Sequence, residues 1–194
     1  MGTIDADLVT VADFRVFVEA GGYDDAPLWT PAGWAWRCKA HIDAPRFWDE
    51  PQWAAYLAPD HPVVGVSAFE AEAFASYRDA RLPSEGAWEG ACRCGDQRKF
   101  PWGNDWDDGA CAHRDAGPRC TSPVGCYARG TTPSGVRDLC GSVWQWTQTE
   151  RGDRRVVCGG AWNNLRRDIG CHARNAYPPS ARFSNLGFRL AHDS

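Results

Sequence analysis

Eleven tryptophans share this chain with 20 glycines and 13 prolines, and that combination constrains the fold more than any other feature. Glycine and proline interrupt regular backbone, so long helices and long strands are expected to be few. Tryptophan supplies the compensating chemistry: one indole buries a large apolar area while its N–H finds a carbonyl, so indoles can anchor long loops. The 194 residues, 43% of them hydrophobic, suit one domain spanning 1–194 with a proper core.

Charge and termini exclude several classes. The net charge of −4 speaks against nucleic acid, since phosphate binding needs a basic face. The basic runs Arg151/Arg154/Arg155 and Arg166/Arg167 read as solvated faces. No apolar run approaches the ~18 residues that cross a bilayer, so no membrane partner is expected. The opening MGTIDADLVTVADF has no basic n-region and no apolar h-region. A cytoplasmic setting is therefore expected, with a mature form that has lost its leader, or display on a cell or virion surface, as alternatives. The sequence does not give the oligomeric state.

Local signals place the elements. Thr10 caps a first helix, Val11–Ala20, whose stripe is Val11, Phe14 and Phe17/Val18 and which Gly21-Gly22 stops. The stretch 23–53 has five tryptophans but neither helical nor strand period, and reads as a long packed loop. Residues 61–66 read as a short strand. Ser67 and Glu70 form a capping box for a second helix, Ala68–Asp79, with Phe69, Ala73 and Tyr77 as its core face. Ser84 caps a third, short helix carrying Trp88. Strand-like pieces follow at 142–148, 154–158 and 187–191. Helices early and short antiparallel strands late, in a loop-rich chain, give an α+β class with two main helices.

Five segments, in order, resemble the formylglycine-generating-enzyme (sulfatase-modifying-factor) family. They are PVVGVSAFEAEAFASY (62–77), RLPSEGAWEGA (81–91), FPWGNDWD (100–107), GVRDLCGSVWQWT (135–147) and VVCGGAWNN…NLGFRL (156–190). The resemblance implies a C-type-lectin-like fold. Independently of it, Trp144 and Trp146 alternate around Gln145, so a strand puts both indoles on one face. Gly159-Gly160 permits a bulge or a close backbone approach. Trp88, Trp144 and Trp146 are expected in the core.

The resemblance also says which chemistry to test. Formylglycine synthases bind copper through two cysteines just after the Gly-Gly-Ser-Tyr/Trp segment; here 159–169 contains none, so formylglycine synthesis is not expected. The resembling sulfoxide synthases take iron mainly from three histidines of a separate helical domain. They add a Trp-Asp pair and an arginine after the position of Arg174-Asn175, where this chain has Ala176, Tyr177 and Ala181. His41, His61, His113, His172 and His192 show no ligand spacing. The family's calcium positions carry Ser142, Gln145 and Cys111, a poor set for a hard cation, so no cofactor is expected. The nine cysteines are an odd number. They read first as buried small hydrophobes, then as one or more disulfides, and last as a metal site; Cys92-x-Cys94 is too tight for a zinc knuckle.

The segment 162–189 resembles the variable proteins of diversity-generating retroelements and their undiversified relatives. In those proteins it forms a recognition surface rich in asparagine. The resemblance, with the aromatic and arginine content of a segment that reads as irregular, makes Asn164, Arg166, Asp168, His172, Arg174, Tyr177, Arg182 and Phe183 the candidate ligand contacts. Trp162, Gly187, Phe188 and Arg189 are the expected framework. Two functions follow: a lectin-like module that binds a protein or small ligand, or a metal-dependent, oxygen-using oxidoreductase completed by an unrecognised metal site or a partner subunit.

Overall fold

A computed structural model describes residues 3–193. Four α-helices precede the main sheet: α1 (Val11–Glu19), α2 (Pro31–Ala40), α3 (Ala68–Tyr77) and α4 (Glu85–Arg93). The strands are β1 (Thr3–Ile4), β2 (Trp144–Arg151), β3 (Arg154–Gly159), β4 (Gly170–Tyr177), β5 (Leu186–Gly187) and β6 (Ala191–His192). The main sheet has the order β4-β3-β2-β5; β1 and β6 pair separately and bring the two ends of the chain together. Pairing is antiparallel except between β2 and β5, which run parallel, a departure from the all-antiparallel expectation.

The alternation along β2 builds two cores. Trp144 and Trp146 face an aromatic cluster with Phe14, Phe17, Phe74 and Phe188. On the opposite face, Val156, Cys158 and Cys171 join Trp88 of α4 in a second cluster. A strand alternates its side chains, so a sheet covered on both faces fills both. The indole Nε1 of Trp146 donates to the Val66 carbonyl at 3.1 Å, and that of Trp88 to Gln145 Oε1 at 2.9 Å. Both indoles are fully buried, so each N–H needs such a partner.

The caps form as the sequence indicates. Thr10 with Asp13, and Ser67 with Glu70, make reciprocal capping boxes, and Ser84 accepts from the Ala87 amide. Further expectations change. Residues 31–40 are helical rather than loop: Pro31 sits in the first turn, where a missing N–H costs nothing, and Thr30 caps it. On α3 the residues at the centre of the core are Ala73 and Phe74, with Phe69 and Tyr77 half-buried at the flanks, because the helix is covered on several sides. Residues 61–66 are extended but bond to several segments in turn, Val63 to Val9, Gly65 to Phe183 and Arg46 to Gly65, so they form no strand. Residues 170–177 are the strand β4 rather than irregular backbone.

Gly159 does what its position suggests. The β3–β4 register shifts between Cys158 and Gly159. Gly159 has φ +98°, and a Cβ there would lie 2.3 Å from the Leu139 carbonyl oxygen. Gly159→Ala is expected to cost ~2 kcal/mol from strain and steric conflict together, measured by urea unfolding. Unchanged stability would show that the bulge tolerates a side chain.

Candidate functional site

The candidate contacts divide between framework and surface. Arg174 is held: Nε lies 2.8 Å from Glu85 Oε1, Nη2 lies 2.8 Å from Glu89 Oε2, and its Cζ lies 5.3 Å above the Trp88 ring. This arginine clamps α4 to β4, so no charge on it is left free for a ligand. Arg182 is held too. It donates to the Gly65 carbonyl at 3.0 Å, to the Ala44 carbonyl, and to the fully buried Glu70 at 3.0 Å. Glu70 also accepts from the Tyr23 hydroxyl at 2.6 Å and the Ser67 amide at 2.7 Å. Burial still pushes the Glu70 carboxyl above its usual range, with Arg182 pulling it down. The Asn164 side chain accepts from the Ala161 amide at 2.9 Å and shapes the turn after β3.

Tyr177 and Phe183 come together at the surface. Their rings meet edge to face, with centroids 5.2 Å apart. Phe183 is 41% exposed, unusual for a large apolar side chain here. The Tyr177 hydroxyl accepts from Asn175 Nδ2 at 2.8 Å, and burial raises its pKa. The same open groove of about 460 Å³ is lined by Phe47 and Trp53, stacked 4.1 Å apart, with the Arg46 guanidinium 5.0 Å from the Phe47 ring. Asn163 and Asn185 also line it, joined side chain to side chain at 2.9 Å.

The aromatic wall continues. Trp53 meets Tyr56 at 5.2 Å and Tyr56 meets Trp162 at 6.1 Å. Trp162 and Asn163 open onto a neighbouring recess of about 460 Å³ lined by Arg114 and Arg119. The buried Trp162 Nε1 has no partner among the described residues. Asn164, Asp168, His172 and Arg174 line a separate recess of about 510 Å³ with Trp144, Arg167, Ala173 and Asn175. Asp168 and His172 are exposed there, and Arg166 is exposed beside it in the 3-10 turn Arg166–Asp168. The eight candidates therefore do not form one site. Tyr177, Arg182 and Phe183 line the first groove, and Asn164, Asp168, His172 and Arg174 the last recess.

Sequence reasoning did not single out Arg46, Phe47 and Trp53, which line the first groove. They lie over 120 residues upstream of Tyr177, in a stretch that reads only as a long packed loop. Among the signals the sequence offered, the cluster of tryptophans at 29–53 came nearest to marking them.

The positions that match calcium ligands in the family do not fit that ion here. The Gln145 amide nitrogen donates to the carbonyls of Asp138 and Leu139 at 2.8 and 3.1 Å. Its oxygen accepts from Trp88 and from Arg189 Nε at 2.8 Å. A cation would need those oxygens turned toward it, and nitrogen donors occupy them instead.

Residues 3–194 match the family model described as sulfatase-modifying factor enzyme 1-like domain. The hercynine oxygenase of Mycolicibacterium thermoresistibile is 34% identical over 95% of this chain and 49% of its own length. The formylglycine-generating enzyme of Thermomonospora curvata is 29% identical over 98% of this chain and 81% of its length. The chain thus spans about half the length of the hercynine oxygenases it matches. Among solved structures, PvdO from Pseudomonas aeruginosa superposes with a TM-score of 0.75 at 20% identity, covering 100% of this chain and 80% of that one. Treponema denticola variable protein 1 does so with a TM-score of 0.62 at 20% identity, over 78% and 75%. These likenesses show the shared fold, which is C-type-lectin-like.

Proposed function

The chain belongs to the sulfatase-modifying factor enzyme 1-like family, and from that premise we propose that it is a recognition module whose contact surface is the groove lined by Phe47/Trp53 and Tyr177/Phe183. One observation carries the reading: two aromatic pairs, Phe47/Trp53 and Tyr177/Phe183, line one open groove together with exposed Arg46 and the amides of Asn163 and Asn185. Aromatic walls stack a planar group, Arg46 takes an anionic arm, and the amides orient what lies between. The ligand class is a small planar molecule bearing a carboxylate. Arg166, Asp168 and His172 belong in this reading to the margin of the same face. Arg174, Arg182 and Asn164 act as supports.

The similarity to hercynine oxygenases favours a second reading, in which this groove is the substrate-facing half of an oxygen-using oxidoreductase and a partner supplies the metal. Both readings use the same groove, and hercynine is the first probe. Titration calorimetry of the chain alone with hercynine and with aromatic carboxylates is expected to show binding. Tyr177→Ala or Phe183→Ala should weaken it at least tenfold while Tm moves by under ~3 °C, the shift of about 1 kcal/mol. Unchanged affinity in both variants, or variants that unfold, would remove the groove from consideration. Turnover of hercynine that appears only when a metal-bearing partner is added would favour the second reading over the first.

A further inference from the structure

Five of the nine cysteines lie in the second core cluster: Cys92, Cys111, Cys140, Cys158 and Cys171. Three of them converge. Cys92 comes from α4, Cys140 from the loop before β2 and Cys171 from β4, and their Sγ atoms all lie within 4.8 Å of one another. Cys92 and Cys171 are joined as a disulfide, and the Cys140 sulfur stands 3.7 Å from that of Cys92. None of the three is more than 2% exposed. Three sulfurs at one point, supplied by three separate elements, exceed what apolar packing or a single disulfide requires.

We propose that, once the disulfide is reduced, Cys92, Cys140 and Cys171 form a three-thiolate site for copper(I). The donor set selects the ion. All three ligands are soft, and the walls are the apolar side chains of Trp88, Leu139, Val156 and Ile169, which excludes calcium and magnesium. A structural zinc takes four ligands, and this grouping offers three. Metal–sulfur bonds of ~2.3 Å in a plane set the sulfurs ~4 Å apart, close to the present separations once Cys92 and Cys171 part. Three thiolates around one monovalent ion carry excess negative charge. Arg189, fully buried and donating only to neutral oxygens, is the unpaired counter-charge of this part of the core, since Arg174 is already met by Glu85 and Glu89.

The cluster then has two exclusive states. A phosphine reductant supplies two electrons, takes the oxygen of one water to become its oxide, and leaves that water's two protons on the Cys92 and Cys171 sulfurs. Copper(I) binding to the three thiols releases three protons. Of the three converging sulfurs, the oxidised state retains one thiol, that of Cys140, and has no three-thiolate site.

The test uses the full chain carrying Cys38→Ser, Cys94→Ser, Cys120→Ser and Cys126→Ser, which removes the cysteines outside the cluster. It is titrated without oxygen against copper(I) held by a chelator of known affinity, before and after phosphine reduction. One equivalent is expected after reduction and none before, with three sulfur neighbours by X-ray absorption. Adding Cys140→Ser, which preserves the disulfide and so the oxidised fold, should lower affinity at least tenfold and leave two sulfur neighbours. Uptake unaffected by Cys140→Ser, equal uptake by the oxidised chain, or no uptake by the reduced one overturns the proposal. So does uptake that occurs only after the near-ultraviolet circular dichroism of the fold is lost.

Discussion

Trp88→Ala is expected to destabilise the protein by ~3–5 kcal/mol, the range for an aromatic side chain removed from a packed core. Trp88 is fully buried between α4 and the sheet. Its ring carries the Arg174 guanidinium on one side, and its Cζ2 lies 3.1 Å from where a Cβ on Gly159 would sit. The bulge at Gly159 and this indole are therefore fitted to each other, and neither side can close the cavity left by alanine. The substitution also removes the donor that meets Gln145 Oε1. With ~1 kcal/mol worth ~2–4 °C in a domain of this size, Tm should fall by ~10 °C or more. Trp88→Phe separates the two contributions, since it restores most of the volume but not the N–H. Urea unfolding reads both, and a loss below about 1 kcal/mol for alanine would mean that α4 repacks freely on the sheet.

Arg189→Leu is expected to cost at least ~3 kcal/mol, because it strands buried acceptors on three segments. The guanidinium is wholly buried and donates to Gln145 Oε1, to the carbonyls of Asp5 and Ala6, and to that of Arg137. It thereby joins the chain's first residues, the loop before β2 and β2 itself. Burial draws its pKa down to about 10, which still leaves it charged at neutral pH. Arg189→Lys should recover little, since one ammonium cannot reproduce the planar fork that reaches four oxygens in fixed directions. Thermal unfolding of the two variants checks this. If lysine restores the parental Tm, charge rather than directed hydrogen bonding is what the site requires.

Much of the scaffold was legible because it is encoded locally. Thr10, Ser67 and Ser84 each accept from an amide three residues on, a relation that needs no tertiary information. The alternation of Trp144, Gln145 and Trp146 set two indoles on one side of a strand and the glutamine on the other, as found. Family membership was legible for the same reason: five short motifs each carry a turn, a cap or a buried indole.

The errors share one cause. Proline was read as loop punctuation at 31, where its place in the first turn makes it a helix opener. Residues 170–177 lack a sustained apolar alternation: Cys171 joins the cluster around Trp88, Ala173 the cluster around Trp146, and His172 and Asn175 of this edge strand are exposed. Pairing with β3, not composition, makes it a strand.

The sequence by itself determined the class, the caps, the core indoles and the family, since each depends on residues within a few positions of one another. Only the tertiary structure decided which arginines are free. Arg174 meets Glu85 and Glu89, and Arg182 meets Glu70, across separations of 85 to 112 residues. It alone brought Phe47 and Trp53 into one groove with Tyr177 and Phe183, and gathered Cys92, Cys140 and Cys171 from three elements. Burial and pairing at such separations are properties of the packed chain, because the free energy that fixes them comes from surfaces meeting and not from any one segment's preference.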